Sequence, residues 1–334
     1  MSIDRFGVVI DFLPDGYMPY YKCFKYLPPG MVERIKKLLG PRAIYSLDNM
    51  GWIISIPSFV EHRTASYKMI KSVDALEKIL DRLDIRIIHL AKIKNELRRE
   101  TAEILKKNGR QVLTYSFIKE IIMLLYLIKI IDKCGKGFIT QEIGIICHNK
   151  TLKRDILHIL ARYSNYVTSF ESNGSQVQGL YSELFKQFGL VVHITQNIES
   201  IINKCKIIIL DQILEKQYLQ GFDQTKIIIN LSGKTYQSSD FKGLWINDLF
   251  LKMPPNISTG INKDFVGLED LVWECVLFSD KDFRMIYEAK EIQWEHTIRL
   301  IRIINKNSID VRALQVNDRI LAYTGVYRAL AAVI

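Results

Sequence analysis

The residues best placed for chemistry in this 334-residue chain lie in one short stretch, Cys147-His148-Asn149-Lys150-Thr151. An apolar run, Ile143 to Ile146, precedes it and reads as a buried parallel strand. After it, Ile156, Leu157 and Leu160 recur at helical spacing. A strand that turns directly into a helix aims free backbone N–H groups and a partial positive charge at the turn, and that is anion-binding chemistry. Lys150, Lys153 and Arg154 add cationic side chains. An ordinary basic helix start, capped by Asn149 or Thr151, gives the same pattern. In a Rossmann dinucleotide unit this corner reads G-x-G-x-x-G: one glycine for the tight turn, one for close approach of the pyrophosphate, one for close helix–strand packing. Here Cys147, Asn149 and Leu152 occupy those positions. The scaffold is retained and the phosphate cradle is rebuilt or lost.

Other residues fit the same scheme. Glu171 ends the next strand, roughly 20 residues past the turn, where an acid holds a ribose hydroxyl and favours NAD over NADP; an exposed strand-end glutamate is the plain alternative. Asn230 and Ser232 end a later strand and could contact a nicotinamide, or simply form a turn. Cys147 and His148 are adjacent, and an imidazolium beside a thiol lowers its pKa, but neighbouring side chains at a strand end point to opposite faces. Lys92 and Lys94 follow an earlier strand and could supply a proton to a reduced substrate, or be solvated loop lysines. The histidines have no metal-ligand spacing, so no metal site is expected.

The composition is that of an ordinary globular protein, 48% hydrophobic and 25% charged. The formal net charge of +10 suits an anionic partner. The richest basic stretch, Lys92 to Arg110, is interleaved with Glu96, Glu100 and Glu103, as on an exposed helix with i,i+4 pairs. No helix-turn-helix or RNA-binding motif is present, so nucleic acid is not the expected partner. The five cysteines are dispersed, which fits a reducing cytoplasm and no disulfide framework. Met1 to Leu13 carries Asp4, Arg5 and Asp11 and does not read as a signal peptide. The greasiest helix, Phe117 to Cys134, contains Lys119, Glu120 and Lys129 and reads as a buried helix, not a membrane span.

Strands are expected at Phe6–Phe12, Gly51–Ile56, Ile85–Leu90 and Gln111–Thr114, with an amphipathic helix over Ser66–Leu83 and a charged helix ending at Asn108-Gly109. From Ile143 onward strands and helices alternate, the signature of a parallel sheet covered on both faces. Helices are expected near Gly267–Phe278 and Glu291–Asn305; residues 311–334 give no clear pattern.

The opening Ile3-Asp4-Arg5-Phe6-Gly7-Val8-Val9-Ile10, together with Lys25-Tyr26-Leu27-Pro28, Gly51-Trp52-Ile53-Ile54-Ser55-Ile56-Pro57, Ile87-Ile88-His89-Leu90 and the Gln141–Leu160 unit, resembles the bacterial predicted amino-acid dehydrogenases. These are relatives of shikimate dehydrogenase-like and long-chain acyl–acyl-carrier-protein reductase proteins. The resemblance implies a Rossmann-type doubly wound α/β domain inserted in a smaller α/β substrate-type domain. It places the substrate-type domain at 1–117, the Rossmann-like domain at 118–264 and returning C-terminal helices at 265–334. Relatives carry a Gly-Ala-Phe-Thr-Ser type loop where this chain has Ala91-Lys92-Ile93-Lys94-Asn95. They carry a Thr-Gly-Asn segment where it has Leu113-Thr114-Tyr115-Ser116-Phe117. Acyl-reductase relatives place a nucleophilic cysteine where Leu268 stands, with Cys275 about two turns later.

These departures lead to the expectation of a divergent oxidoreductase relative without the parent chemistry, acting as a binding or regulatory protein. The alternative is an active NAD-dependent dehydrogenase or acyl/aldehyde reductase with an unusual phosphate loop. NAD is the cofactor if one binds. The expected partner is a nucleotide or small molecule in an interdomain cleft, a protein, or a second copy of the chain.

Overall fold

The computed structural model describes residues 4–12, 27–48, 50–56, 66–93, 95–172, 178–212, 214–232, 243–257, 265, 267–289 and 293–334. Backbone contacts divide the chain into two units, Met1–Phe117 with Met253–Arg284, and Ile118–Lys252 with Met285–Ile334. This corrects the expectation that all of 265–334 returns to the first unit. Residues past 284 belong to the second because their two strands extend its sheet.

The first unit is built on β1 (Phe6–Ile10), α1 (Pro29–Leu38), β2 (Arg42–Leu47), β3 (Gly51–Ser55), α2 (Ser66–Arg82), β4 (Ile87–Lys92), α3 (Asn95–Lys107) and β5 (Gln111–Leu113). Its sheet runs β2-β3-β1-β4-β5, parallel except for β2. All five residues of β1 are buried, as a central parallel strand covered on both faces requires. Gly51 pairs with Phe6. A Cβ there would stand 2.3 Å from the Phe6 ring, so only glycine lets the aromatic lie across the strand. Val73, Leu76 and Leu80 of α2 and Ala102 and Leu105 of α3 close the core over Ile54, Ile88 and Leu90. From the later segment comes α9 (Glu269–Leu277).

The second unit opens with α4 (Ile118–Ile131), ten of whose residues are buried. Gly135 and Gly137, at φ 88° and 59°, end the helical path that follows it. No helix among the described residues is long and apolar enough to cross a membrane. The alternating part comprises β6 (Ile143–Ile146), α5 (Lys150–Leu160), β7 (Tyr166–Phe170), α6 (Gln178–Phe188), β8 (Val191–Thr195), α7 (Ile198–Lys204), β9 (Ile207–Leu210), α8 (Lys216–Leu219), β10 (Ile227–Asn230) and β11 (Leu244–Leu251). After α10 (Lys281–Glu288) come α11 (Trp294–Lys306), β12 (Val311–Val316), β13 (Arg319–Leu321) and α12 (Tyr323–Val333).

The strand order is β13-β12-β11-β10-β9-β6-β7-β8. Numbered from β6, the six parallel strands read 3-2-1-4-5-6, the order of a doubly wound dinucleotide-binding sheet. The chain therefore contains a Rossmann fold. Beyond β11, an antiparallel hairpin of β12 and β13 turns at Asn317, φ 50°. The Asn317 backbone donates to Trp245 O at 2.7 Å, and its side chain accepts from Trp245 N at 2.8 Å. Gly144, in the middle of β6, lets α7 approach; a Cβ there would meet Ile201 Cγ2 at 2.3 Å.

Candidate functional site

The turn after β6 lies at the carboxyl end of the first strand of the 3-2-1-4-5-6 order, the switch point where such sheets bind nucleotides. Asn149 caps α5, its Oδ1 accepting from the N–H groups of Thr151 at 3.1 Å and Leu152 at 3.2 Å. The other outward N–H groups meet a carboxylate from the end of β9. Asp211 accepts from His148 N at 2.9 Å and from Asn149 N at 2.8 Å. The Cys147 thiol also donates to it, at 2.9 Å. The donors that cradle a pyrophosphate elsewhere are thus taken by the chain's own anion and its own cap. A phosphate placed there would also face the Asp211 charge.

Cys147 is 2% exposed. Burial, then its bond to Asp211 and that residue's charge, push the thiol far above the usual range, so it is a hydrogen-bond donor and not a thiolate. His148 is exposed beside the Phe170 ring, 5.8 Å between centroids. Lys150 and Thr151 are exposed at the helix start.

Glu171 stands at the end of β7, where the ribose acid is expected, but it is engaged. Its Oε1 accepts from Lys153 Nζ at 2.7 Å, from the Tyr181 hydroxyl and from Ser169 Oγ at 3.4 Å. Lys153 in turn reaches Phe170 O at 2.9 Å, and the Lys153 and Glu171 side chains are only 7% and 11% exposed. The pair fastens α5 to β7. Asn230 is buried at the end of β10 and donates to Asn247 Oδ1 at 2.9 Å, while its own Oδ1 accepts from Ser232 Oγ at 2.7 Å. The residues fit a closed structural corner better than they fit a dinucleotide.

In the first unit, Lys92 is exposed at the end of β4 and Lys94 lies outside the described residues. The loop after β4 is clamped by Arg98, whose guanidinium donates to Ala91 O at 2.9 Å, Ile93 O at 2.7 Å and Thr114 O at 3.0 Å. Leu268 precedes α9, and Cys275 within it is fully buried, its thiol raised by burial and by Glu274.

Sequence reasoning passed over the most buried ionisable cluster, which lies here. His89 Nε2 is 2.7 Å from Glu274 Oε2, and both side chains are wholly buried. Ala91 N donates to His89 Nδ1 at 3.2 Å, so the ring proton sits on Nε2 and is given to Glu274. Glu274 Oε1 accepts from Ser116 Oγ at 3.0 Å and Phe117 N at 2.9 Å, and Ser116 Oγ also lies 3.1 Å from Asp270. The partners are separated by more than 150 residues, so no local spacing could reveal them. Among the described residues no group of three or more His, Cys, Asp and Glu could hold a metal ion.

No known family model matches the chain, and no curated sequence does. Among solved structures it is similar to ornithine carbamoyltransferase from Gloeobacter violaceus, at 11% identity and a TM-score of 0.35 over 72% of this chain and 75% of that one. D-lactate dehydrogenase from Escherichia coli gives 11% and 0.30 over 71% and 76%. D-mandelate dehydrogenase from Rhodotorula graminis gives 8% and 0.29 over 71% and 76%. With scores this low, the Rossmann assignment stands on the chain's own strand order.

Proposed function

We propose that this chain is a divergent relative of the NAD(P)-dependent oxidoreductases that has given up dinucleotide chemistry and acts as a binding or regulatory protein. One observation carries this reading: the Asp211 carboxylate accepts from the His148 and Asn149 N–H groups, the place a pyrophosphate would need. The engaged Glu171 supports it. The partner is a small molecule or another protein, a second copy of the chain included.

Calorimetric titration of the purified protein with NADH and NADPH is the test. The expected result is no binding of either nucleotide in the micromolar range by a folded sample. Micromolar binding of NADH that persists as salt is raised overturns the reading.

The second reading is an active NAD-dependent dehydrogenase or acyl/aldehyde reductase. It is favoured by one feature, an acid at the end of the second strand of a 3-2-1-4-5-6 sheet, as NAD enzymes have. On that reading Asp211 must swing out of the turn when the nucleotide enters, and NADH binding must weaken in Glu171→Ala.

A further inference from the structure

We propose that the second unit carries a pocket for a small monocarboxylate with an apolar body, formed by α4, the end of α11, the start of β12 and Tyr323. It shares no residue with the turn after β6, so it stands whether or not that turn takes a nucleotide.

The cavity measures about 200 Å³. At about 30 Å³ per water-sized group, that holds roughly seven heavy atoms, enough for the hydrocarbon body of hexanoate or benzoate with the carboxylate at the rim. Its inner wall is aliphatic: Ile122, Leu125, Ile130, Ile304 and Val311, all buried. A wall of this kind takes a hydrocarbon body, and a few convergent polar groups at the rim fix its orientation.

The rim sets the sign of the ligand. Lys129 and Lys133 are exposed and one helical turn apart, and neither has a carboxylate partner among the described residues. Lys133 Nζ lies 5.5 Å from the Tyr323 ring centroid, which holds the ammonium over the opening. Asp310, the acid of the rim, is already engaged: it takes Lys252 Nζ at 2.5 Å and Val311 N at 2.9 Å. The net charge offered to a ligand is therefore positive. Tyr126 adds a phenol edge-on to Tyr323, 6.3 Å between centroids. Burial, Asp310 and Tyr323 push its ionisation up to about 12, so at neutral pH it remains a donor. Two ammonium groups and a phenol over an aliphatic pit of this size match a carboxylate on a short apolar body.

The test is titration of the full chain at neutral pH with hexanoate and benzoate, followed by protein chemical shifts. Hexanol and benzyl alcohol serve as uncharged controls of the same shape. Expected Kd values for the acids are on the order of 0.1–1 mM, with the alcohols about tenfold weaker. Lys129→Gln with Lys133→Gln should remove the preference for acid over alcohol. Ile309→Trp, at the half-buried rim, should fill the pocket and abolish binding of all four compounds. Absence of acid binding to folded protein at about 10 mM, equal binding of acid and alcohol, or binding that survives both variants overturns the proposal. If the tryptophan variant fails to fold, the lysine pair, both exposed, carries the test.

Discussion

The Oδ2 atom of Asp211 lies 2.8 Å from the backbone nitrogen of Asn149, and that carboxylate is the anion around which the turn after β6 is folded. Bonds from backbone N–H to an ionised acceptor are stronger than neutral ones, and the helix N-terminus adds its partial charge. The turn thus keeps the electrostatics of a phosphate site with an internal tenant in place of the phosphate.

Removing that tenant should expose the site. In Asp211→Ala the N–H groups of His148 and Asn149 and the Cys147 thiol lose their acceptor, at a cost of about 1–3 kcal/mol. Thermal unfolding with and without inorganic phosphate checks this. Phosphate should raise the Tm of the alanine variant more than that of the parent protein, because it binds only the vacated turn. An equal effect on both would mean that the turn cannot receive an anion.

Glu171 offers a second comparison. Its removal leaves Lys153 nearly buried without its partner, which costs about 3–5 kcal/mol in denaturant unfolding. Glu171→Ala should therefore destabilise strongly, and more than Thr151→Ala, an exposed change expected to stay within about 0.5 kcal/mol. If Glu171→Ala unfolded like the parent, the bond to Lys153 would not be a fastening of α5 to β7, and the ribose role would regain its ground.

Much of the second unit was legible in the chain. Ile143–Ile146, Ile207–Leu210 and Ile227-Ile228-Ile229 are buried apolar runs, and such runs announce a parallel sheet. β2, β12 and β13 were not legible. They are antiparallel edge or near-edge strands whose place depends on β3, β11 and the Asn317 turn, contacts made across long separations. The turn itself was found because its glycines are replaced by Cys147, Asn149 and Leu152, but its occupant was not. Asp211 stands 62 residues from Asn149, and an acid at a strand end has no local mark.

The His89–Glu274 pair is predicted to hold the first unit together. Glu274→Ala strips the acceptor from His89, Ser116 and Phe117 N at once, in a site closed to water. With three donors left short of that acceptor, a loss of roughly 3 kcal/mol or more is expected. Replacing both partners by apolar residues, His89→Phe with Glu274→Leu, should cost less than the sum of the single changes, since no buried charge is then stranded. Denaturant unfolding of the parent, His89→Phe, Glu274→Leu and the double variant measures the coupling. Strict additivity would show that the two side chains do not depend on each other.

Asp155 and His158 lie one turn apart on the buried face of α5, and Asp155 Oδ1 and His158 Nδ1 have no hydrogen-bond partner among the described residues. Burial raises the Asp155 carboxyl to about 7, against a lowering by Arg154. Burial, with Arg154, lowers His158 to about 4, against a raising by Glu295. Between the ordinary carboxyl value and about pH 7 the folded state holds an Asp155 proton that the unfolded chain has lost, so this term makes stability fall as pH rises. Between about pH 4 and 6.5 the unfolded chain holds a His158 proton that the folded state lacks, so this term makes stability rise with pH. The two oppose each other below pH 6.5 and the parent protein should be nearly flat there with respect to them. Asp155→Asn should unmask the histidine, giving stability that climbs from pH 4 to 6.5. At pH 8 the variant should exceed the parent by roughly 1–4 kcal/mol, each pKa unit being worth about 1.4 kcal/mol. His158→Gln should show the opposite slope, falling from pH 4 to 7. Urea unfolding across that range decides it: curves for the three proteins that stay parallel would mean that neither group changes its proton affinity on folding.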